Sequence, residues 1–435
     1  MSNSYFGDFH LETLALHAGH DLDSTRSRGI PVYRTSSYVF QSTAQAADLF
    51  ALKGKGHIYS RISNPTTELL ERRVSALEAG RASVALASGT AAVFSTIITL
   101  AQAGDEILAA DNLYGGTTTQ FDAILPQLGI RTRFLDPRDP GRWEEAVTAQ
   151  TRAFYVETIG NPALDVTDIG AMAEAAHRHG LPLIVDGTFT TPYLLRTIEH
   201  GADIVVNSLT KWLGGHGAAI GGVVTEAGTF DWSAGRHPLF TEPDANYHGL
   251  RWASDLPPAL QPETFTQRLR TVPLRNLGAC LSPDNAWIFL QGIETLPLRM
   301  SRHCRNALAV ARHLAGHPRV RWVRYPGLPG DPSRETARRY LKKGCGGMVV
   351  IGLKGEYDAA ATLIDHIKLF SHLANVGDAK SLILHPASTT HAQLSEEQRR
   401  AGGVTPELVR LSIGLEHPDD LIAALDEALA LTKGD

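Results

Sequence analysis

From residue 66 onward, short apolar runs alternate with longer segments in which apolar residues recur every three or four positions. The short runs predict strands at residues 83–87, 106–109, 153–156, 181–185 and 202–207. The longer segments predict helices at residues 68–79, 91–101 and 169–179. This alternation favours an α/β fold, in which helices cover both faces of a mostly parallel sheet.

The pattern changes in three places, and these suggest the domain organisation. Residues 1–65 are polar with little periodicity, which predicts an N-terminal arm that contacts a neighbouring subunit. Residues 228–280 form a long irregular insert rich in Pro, Trp, Tyr and His, a kind of segment that is usually functional or part of an interface. We therefore expect a large domain over residues 66–292, including the insert. A single long helix from residue 285 to 314 then leads into a smaller C-terminal α/β domain over residues 293–435.

Composition narrows the class of protein. The chain has 435 residues, of which 43% are hydrophobic and 20% charged, and its net charge of −5 gives no footprint for nucleic acid or an anionic membrane. The N-terminus lacks the pattern of a secretion signal and no apolar stretch is long enough to span a membrane, so a cytoplasmic location is expected. The three cysteines, like His385 and His391, fit no metal-ligand spacing, and no metal is expected.

The segment Ser208-Leu-Thr-Lys211 follows one predicted strand and precedes a glycine-rich stretch. Lysine is the side chain that forms a Schiff base with an aldehyde, and hydroxyl groups such as those of Ser208 and Thr210 bind phosphate. Asp186 ends the preceding predicted strand, where a carboxylate can bind a protonated ring nitrogen. Together these are the needs of pyridoxal 5′-phosphate (PLP). The weaker alternative is a surface lysine in a loop beside an unrelated core aspartate.

Other candidates also follow predicted strands, where ligands bind in open α/β sheets. Gly89 and Thr90 open a helix whose free N–H groups suit a phosphate, although a plain tight turn would look the same. Tyr114 could stack on a cofactor ring and exchange protons, or it could be a core tyrosine. Asn161 lies close after Glu157, where its amide could bind a cofactor oxygen or a substrate carboxylate.

Two arginines are candidates for binding anions. Arg61, with Tyr59, lies in the predicted arm and could reach a phosphate in a neighbouring subunit through its planar fork of donors. Arg410 lies near the C-terminus with Ser381 upstream, and an amino-acid substrate needs such a fork for its carboxylate.

Several stretches resemble the Cys/Met-metabolism family of PLP-dependent enzymes, of fold type I. They are residues 59–66 (Tyr-Ser-Arg-Ile-Ser-Asn-Pro-Thr), 87–92 (Ala-Ser-Gly-Thr-Ala-Ala), 114–116 (Tyr-Gly-Gly), 186–192 (Asp-Gly-Thr-Phe-Thr-Thr-Pro), 208–211 (Ser-Leu-Thr-Lys) and 409–416 (Val-Arg-Leu-Ser-Ile-Gly-Leu-Glu). The likeness covers nearly the whole chain. Within the family, the insert and residues 375–391 are most similar to O-acetylhomoserine sulfhydrylases.

The resemblance implies a PLP enzyme and assigns roles to the matching positions. Lys211 would hold PLP, Asp186 would keep the ring nitrogen protonated, and Tyr114 would stack on the ring. The phosphate would be bound by Gly89, Thr90, Ser208 and Thr210, with Tyr59 and Arg61 from the adjacent subunit. Arg410, Ser381 and Asn161 would orient the substrate carboxylate or the cofactor. The family is usually built from tight dimers paired into tetramers, so a homotetramer is expected.

The expected reaction is γ-replacement, in which sulfide or a small thiol displaces acetate from O-acetylhomoserine. Three alternatives within the family are O-succinylhomoserine sulfhydrylase, cystathionine γ-synthase and methionine γ-lyase. The family's γ-lyases commonly carry a cysteine where this chain has Gly116, which disfavours the last of these. A catalytically silent protein of the same fold is the alternative from another class, and the intact set of Lys211, Asp186 and Arg410 argues against it.

Overall fold

The computed structural model describes residues 9–22, 24–54, 56–390, 392 and 403–433. Its strands are β1 (Ala82–Leu86), β2 (Glu106–Ala110), β3 (Arg131–Leu135), β4 (Thr151–Glu157), β5 (Leu183–Asp186), β6 (Ile204–Ser208), β7 (Gly222–Glu226), β8 (Val320–Arg324), β9 (Met348–Leu353), β10 (Ser371–His372), β11 (Leu382–Leu384) and β12 (Leu408–Ser412). The α-helices are α1 (Leu11–His17), α2 (Thr43–Phe50), α3 (Pro65–Glu78), α4 (Gly89–Leu100), α5 (Gly115–Thr119), α6 (Pro140–Ala146), α7 (Ile169–Arg178), α8 (Thr191–Leu194), α9 (Pro238–Thr241), α10 (Thr264–Leu269), α11 (Arg275–Leu277), α12 (Pro283–Glu294), α13 (Leu296–Ala315), α14 (Arg334–Tyr340), α15 (Glu356–His366) and α16 (Pro418–Leu429).

The larger sheet has seven strands in the order β1-β7-β6-β5-β4-β2-β3. Strands β6, β5, β4, β2 and β3 are parallel, and β7 alone runs against its neighbours β1 and β6. The central strands β4 and β5 are almost continuously buried, as expected for strands that helices cover on both faces. The predicted α/β class with a mostly parallel sheet is therefore confirmed.

The predicted strands and helices lie within a few residues of the observed ones, but β3 and β7 were not anticipated. Strand β3 lies at the sheet edge, so exposed arginines interrupt its apolar pattern. Strand β7 has only two apolar residues side by side, Val223 and Val224, between glycine and threonine. Its place between β1 and β6 buries all five residues, which only the tertiary structure decides.

The single helix predicted from residue 285 to 314 is wrong, because two helices meet at Thr295. Thr295 has φ −103° and ψ 5°, and Pro297 stands in the first turn of α13. Proline has no N–H to donate to the preceding turn, so the first helix cannot run through it. Helix α13 leads into the smaller sheet, which has the order β10-β11-β12-β9-β8. The predicted boundary at residue 292 falls inside α12 and stays a prediction.

The predicted arm contains two short helices. Helix α1 buries Leu11, Leu14 and Ala15 in the main core, so this part of the arm packs on its own subunit. Asn64 links the segment before α2 to the start of α3, because its side chain accepts from Thr66 N at 3.0 Å and donates to Tyr33 O at 2.8 Å. The end of the arm is thereby fixed to the start of α3.

Candidate active site

A cavity of about 310 Å³ opens at the carboxyl ends of β4, β5 and β6. Most of the side chains predicted to be functional line it, together with several apolar ones. The lining residues are Ser88, Gly89, Thr90, Val93, Tyr114, Thr117, Glu157, Ile159, Asn161, Asp186, Thr188, Phe189, Ser208, Thr210, Lys211, Ile220, Ala374, Asn375, Val376, Thr390 and Arg410.

Lys211 lies just beyond the end of β6, in a helical turn over Leu209–Leu213. The backbone of Lys211 is not helical, with φ −94° and ψ −134°, and so interrupts this turn. Its Nζ donates to Asn375 Oδ1 at 2.5 Å. Burial, and then the positive charge of Arg410, lower the pKa of Lys211 to about 8. An amine with this pKa is neutral far more often near pH 7 than an ordinary lysine, as a nucleophile or proton carrier requires.

Asp186 and Glu157 end neighbouring strands and face each other in the sheet register. Asp186 Oδ1 accepts from Thr188 N at 2.9 Å, and Glu157 Oε1 accepts from Tyr114 N at 2.6 Å. Burial raises the pKa of Asp186, and hydrogen bonds from Thr188 and Tyr155 oppose that rise. Burial, and then the charge of Asp186, raise the pKa of Glu157 well above its usual range. The pair can therefore hold a proton at this wall.

The opposite end of the cavity is the N-terminus of α4. Ser88 caps this helix by accepting from Ala91 N at 3.0 Å, and the first N–H groups of a helix have no partner within it. A Cβ at Gly89 would lie 2.7 Å from Ser208 Cβ, so only glycine lets the helix start approach β6 this closely. Free amides beside the Ser208 and Thr210 hydroxyls fit a phosphate dianion.

Arg410 reaches the cavity from β12, in the smaller sheet. The residue is only 5% exposed, and its Nη1 donates to Asn161 Oδ1 at 3.4 Å. Burial lowers the pKa of Arg410 to about 10, which leaves it charged near pH 7. A buried guanidinium beside an amide is suited to bind a carboxylate in two-pronged fashion.

Three predicted residues do not line this cavity. Ser381 is fully buried, and its N–H and Oγ donate to the Glu416 carboxylate at 2.6 and 2.9 Å. Its Oγ also accepts from Gly414 N at 2.8 Å, so this hydroxyl secures the chain beyond β12 and does not reach the cavity. Tyr59 and Arg61 also lie away from the cavity of their own chain.

Several lining residues were missed by sequence reasoning, and Asn375 is the most important. It comes from a loop 164 positions beyond Lys211, so no local spacing could link them. The loop stays close because Gly377 takes φ +79° and a Cβ there would lie 2.6 Å from Trp212 N. The sequence Asn-Val-Gly at residues 375–377 is typical of a turn, but it does not indicate that Asn375 would contact Lys211.

The irregular insert packs away from the cavity. Trp232 stacks on Phe240 with ring centroids 4.3 Å apart, and Phe265 lies 5.5 Å from Trp232. No residue of the insert is among those that line the cavity in the described structure. These aromatic side chains belong to the main hydrophobic core of the large domain.

The described ranges contain no cluster of three or more histidine, cysteine, aspartate or glutamate side chains that could hold a metal. His385 is engaged by Ser388 Oγ at 2.8 Å and by Pro406 O at 2.9 Å, and His391 lies outside the described residues. Among the described helices none is long and apolar enough to cross a membrane.

Comparison with known proteins decides the family. Residues 12–430 match the family described as Cys/Met metabolism PLP-dependent enzyme. The chain belongs to this family. The O-acetyl-L-homoserine sulfhydrylase of Leptospira meyeri is 49% identical over 97% of both chains. O-acetyl-L-homoserine sulfhydrylase 1 of Thermus thermophilus is 51% identical over 96% of this chain and 99% of its own length.

A solved structure resembles the whole chain. It is a putative O-acetylhomoserine (thiol)-lyase from Campylobacter jejuni with N′-pyridoxyl-lysine-5′-monophosphate. It is 39% identical to this chain, with a TM-score of 0.94. The match covers 97% of this chain and 100% of the solved chain. The predicted family, fold type I architecture and PLP cofactor are thus confirmed. The Lys211 amine, the carboxylates and the start of α4 are the donors and acceptors that PLP needs.

Proposed function

We propose that this PLP enzyme catalyses γ-replacement on O-acetyl-L-homoserine. Sulfide or a small thiol such as methanethiol displaces acetate, and homocysteine or methionine is released. The observation that carries the proposal is that Lys211, Asp186 and Arg410 line one cavity, from three separate parts of the chain. The names of the relatives from Leptospira meyeri and Thermus thermophilus support the same reaction.

Lys211 is the residue that holds PLP and moves protons. Bound PLP would supply an electron sink that acidifies the proton on the substrate's amino-bearing carbon and then those on the neighbouring carbon. Once the substrate amine has displaced it, the Lys211 amine removes the α-proton and later returns one. Asn375 Oδ1 holds this amine at 2.5 Å, which keeps it within reach of the reacting carbons.

Arg410 and Asn161 bind the substrate carboxylate, and the rest of the lining favours an uncharged acyl group. Among the described lining residues, Lys211 and Arg410 are the only cations, and both are already used. The remaining charged lining groups are the carboxyls of Glu157 and Asp186. A succinyl ester would bring a second carboxylate that meets no further cation of this chain, and Arg61 of the second copy is assigned to the phosphate, whereas an acetyl ester brings no second carboxylate.

We assign the cofactor contacts to residues that line the same cavity. Gly89, Thr90, Ser208 and Thr210 bind the phosphate, and Tyr114 stacks on the ring. Ser381 acts at a distance, by fixing the chain that follows Arg410 in β12.

Tyr59 and Arg61 serve the site of a second copy in a homo-oligomer, which we propose is a tetramer of paired dimers. Tyr59 is 41% exposed, the Arg61 guanidinium lies 5.1 Å from its ring, and Arg61 Nη1 donates to Arg275 O. The pair is therefore held together on the surface, away from its own cavity.

Mixing two variants tests the shared site. Chains with Lys211→Ala lack the reactive amine, and chains with Arg61→Ala lose a charge-assisted phosphate contact of about 1.5–3 kcal/mol. If the site is shared, refolded mixtures contain intact sites and recover tight PLP binding and turnover. Mixtures that behave as the average of the two variants would refute sharing.

The reaction is tested by a product assay on PLP-loaded protein with O-acetyl-L-homoserine, with and without sulfide. We expect homocysteine and acetate only with sulfide, and a much lower rate with the O-succinyl ester. Lys211→Ala should abolish turnover, and the exposed Lys368→Ala is its matched control. α-Ketobutyrate and ammonia formed regardless of sulfide would replace the proposal with a γ-lyase. Full activity of Lys211→Ala would refute the role of that lysine.

A further inference from the structure

The backbone conformation at Gly116 does not require a glycine. It lies in the first turn of α5, and its φ is outside the left-handed region that glycine alone adopts readily. Glycine in a helix costs about 1 kcal/mol relative to alanine. A requirement other than backbone geometry must therefore explain this residue.

The space beside Gly116 is taken by the ring of Tyr114. A Cβ at residue 116 would lie 2.5 Å from Tyr114 Cε1, 3.0 Å from Cζ and 3.2 Å from the hydroxyl oxygen. The first of these separations is shorter than real carbon contacts allow. The outer half of the ring thus lies directly on the glycine, and any side chain there would displace it.

The ring, and not the backbone, is the part that would move. Tyr114 N donates to Glu157 Oε1 at 2.6 Å, and Tyr114 O accepts from Thr117 N at 2.8 Å. These bonds fix the main chain at the start of α5. The side chain is 46% exposed, so it can swing away without unfolding anything around it.

The position of the ring affects the substrate end of the cavity. Tyr114 lines the cavity together with Lys211 and Arg410. Its hydroxyl lies within electrostatic reach of Arg410, whose pKa burial lowers and Tyr114 raises. A ring that leaves Gly116 therefore changes the space beside the arginine that binds the substrate carboxylate.

We propose that Gly116 is a positioning residue that sets substrate fit, because its missing side chain lets the Tyr114 ring lie against α5 at the cavity wall. This inference rests on the proposed function, in which Tyr114 stacks on PLP and Arg410 binds the substrate. It goes further by assigning the placement of the ring to a residue that touches neither ligand.

The experiment compares Gly116→Ala with Gly141→Ala in the purified, PLP-loaded enzyme. Gly141 also lies in the first turn of a short helix, α6. A Cβ added at residue 141 would have Asp139 Oδ1 as its nearest neighbour, at 3.4 Å, so alanine fits there. The readouts are KM and kcat for O-acetyl-L-homoserine, the PLP affinity of the apoenzyme and the melting temperature. A second pair of variants, Tyr114→Ala with and without Gly116→Ala, completes a double-mutant cycle.

We expect Gly116→Ala to raise KM about tenfold and weaken PLP binding about threefold, with no fall in melting temperature, since alanine favours the helix. Gly141→Ala should change none of these. In the Tyr114→Ala background, adding Gly116→Ala should have no further effect, because the ring it displaces is gone.

Two results would overturn the inference. One is a Gly116→Ala enzyme with the parent's KM and PLP affinity, and the other is an effect that persists in the Tyr114→Ala background. If Tyr114→Ala itself leaves PLP affinity and turnover unchanged, the role of Tyr114 in the proposed function fails instead. The two failures are therefore distinguishable.

Discussion

Two pairs of like charges line the cavity, Lys211 with Arg410 and Asp186 with Glu157, and we call them its positive wall and its negative wall. On one wall Lys211 and Arg410 come from different sheets, and on the other Asp186 and Glu157 end neighbouring strands. Burial and the neighbouring charge lower the pKa of Lys211 to about 8 and raise the pKa of Glu157 well above its usual range. The same two physical causes thus favour the neutral form of one group on each wall.

The two walls differ in which of their groups is favoured in the charged form. Arg410 keeps its charge near pH 7 because even its lowered pKa is about 10, so the positive wall can bind an anion while Lys211 reacts. On the negative wall, burial raises the pKa of both carboxyls; hydrogen bonds from Thr188 and Tyr155 oppose the rise at Asp186, whereas the charge of Asp186 adds to the rise at Glu157. On each wall, one group therefore keeps its charged form more readily and can bind an ion, while the other is favoured in its neutral form and can hold or transfer a proton.

The largest effect is expected on the negative wall. Asp186→Ala should reduce kcat about 10²- to 10³-fold at saturating PLP, because the charge that stabilises a protonated ring nitrogen is lost. Steady-state kinetics measure this, with the exposed Asp255→Ala as control. A kcat within a few-fold of the parent would show that Asp186 does not face the ring.

Arg410→Lys should act mainly on substrate binding. Lysine keeps the positive charge but not the planar fork, and a charge-assisted hydrogen bond is worth about 1.5–3 kcal/mol. We expect KM for O-acetyl-L-homoserine to rise about tenfold or more, with a smaller change in kcat. An unchanged KM would contradict carboxylate binding by Arg410.

The positive wall also predicts a pH dependence. Only the neutral Lys211 amine attacks PLP, so the rate at which apoenzyme reloads with PLP should rise with pH and level off above about pH 8. Arg410→Gln removes a charge that lowers the pKa of Lys211, so the midpoint of the curve of reloading rate against pH should move to higher pH. Stopped-flow absorbance measures the rates. A midpoint near 10.4, as for an ordinary lysine, would rule out the effect of the buried wall.

The smallest effect on turnover is expected for Glu157→Gln. A neutral Glu157 resembles glutamine and still presents an oxygen to Tyr114 N, so kcat should stay within about threefold near pH 7. A loss of 100-fold would show that the ionised carboxylate is needed.

The same substitution should change how stability depends on pH. Folded Glu157 keeps a proton that the unfolded chain loses above about pH 4.5, so the parent's free energy of unfolding falls as pH rises from there towards the folded-state pKa. Glu157→Gln should flatten this fall in denaturant titrations. Identical slopes for both proteins would contradict the raised pKa.

The fold class, and the meeting of several candidate site residues in one cavity, could be predicted from the sequence. Strand and helix periodicities differ, so the β-α alternation could be read directly. Asp186 and Ser208 end their strands and Lys211 follows β6, and the carboxyl ends of parallel strands meet at one edge of the sheet. These residues are predictable because their place in space follows from their place in the chain.

Only the tertiary structure decided the contacts made between distant segments. Asn375 meets Lys211 across 164 residues, and Ser381 binds Glu416 instead of lining the cavity. The burial that moves the pKa of Lys211 and Glu157 likewise depends on the assembled walls. Periodicity reports which face of an element is apolar, but not which neighbour covers that face, so packing had to supply these contacts.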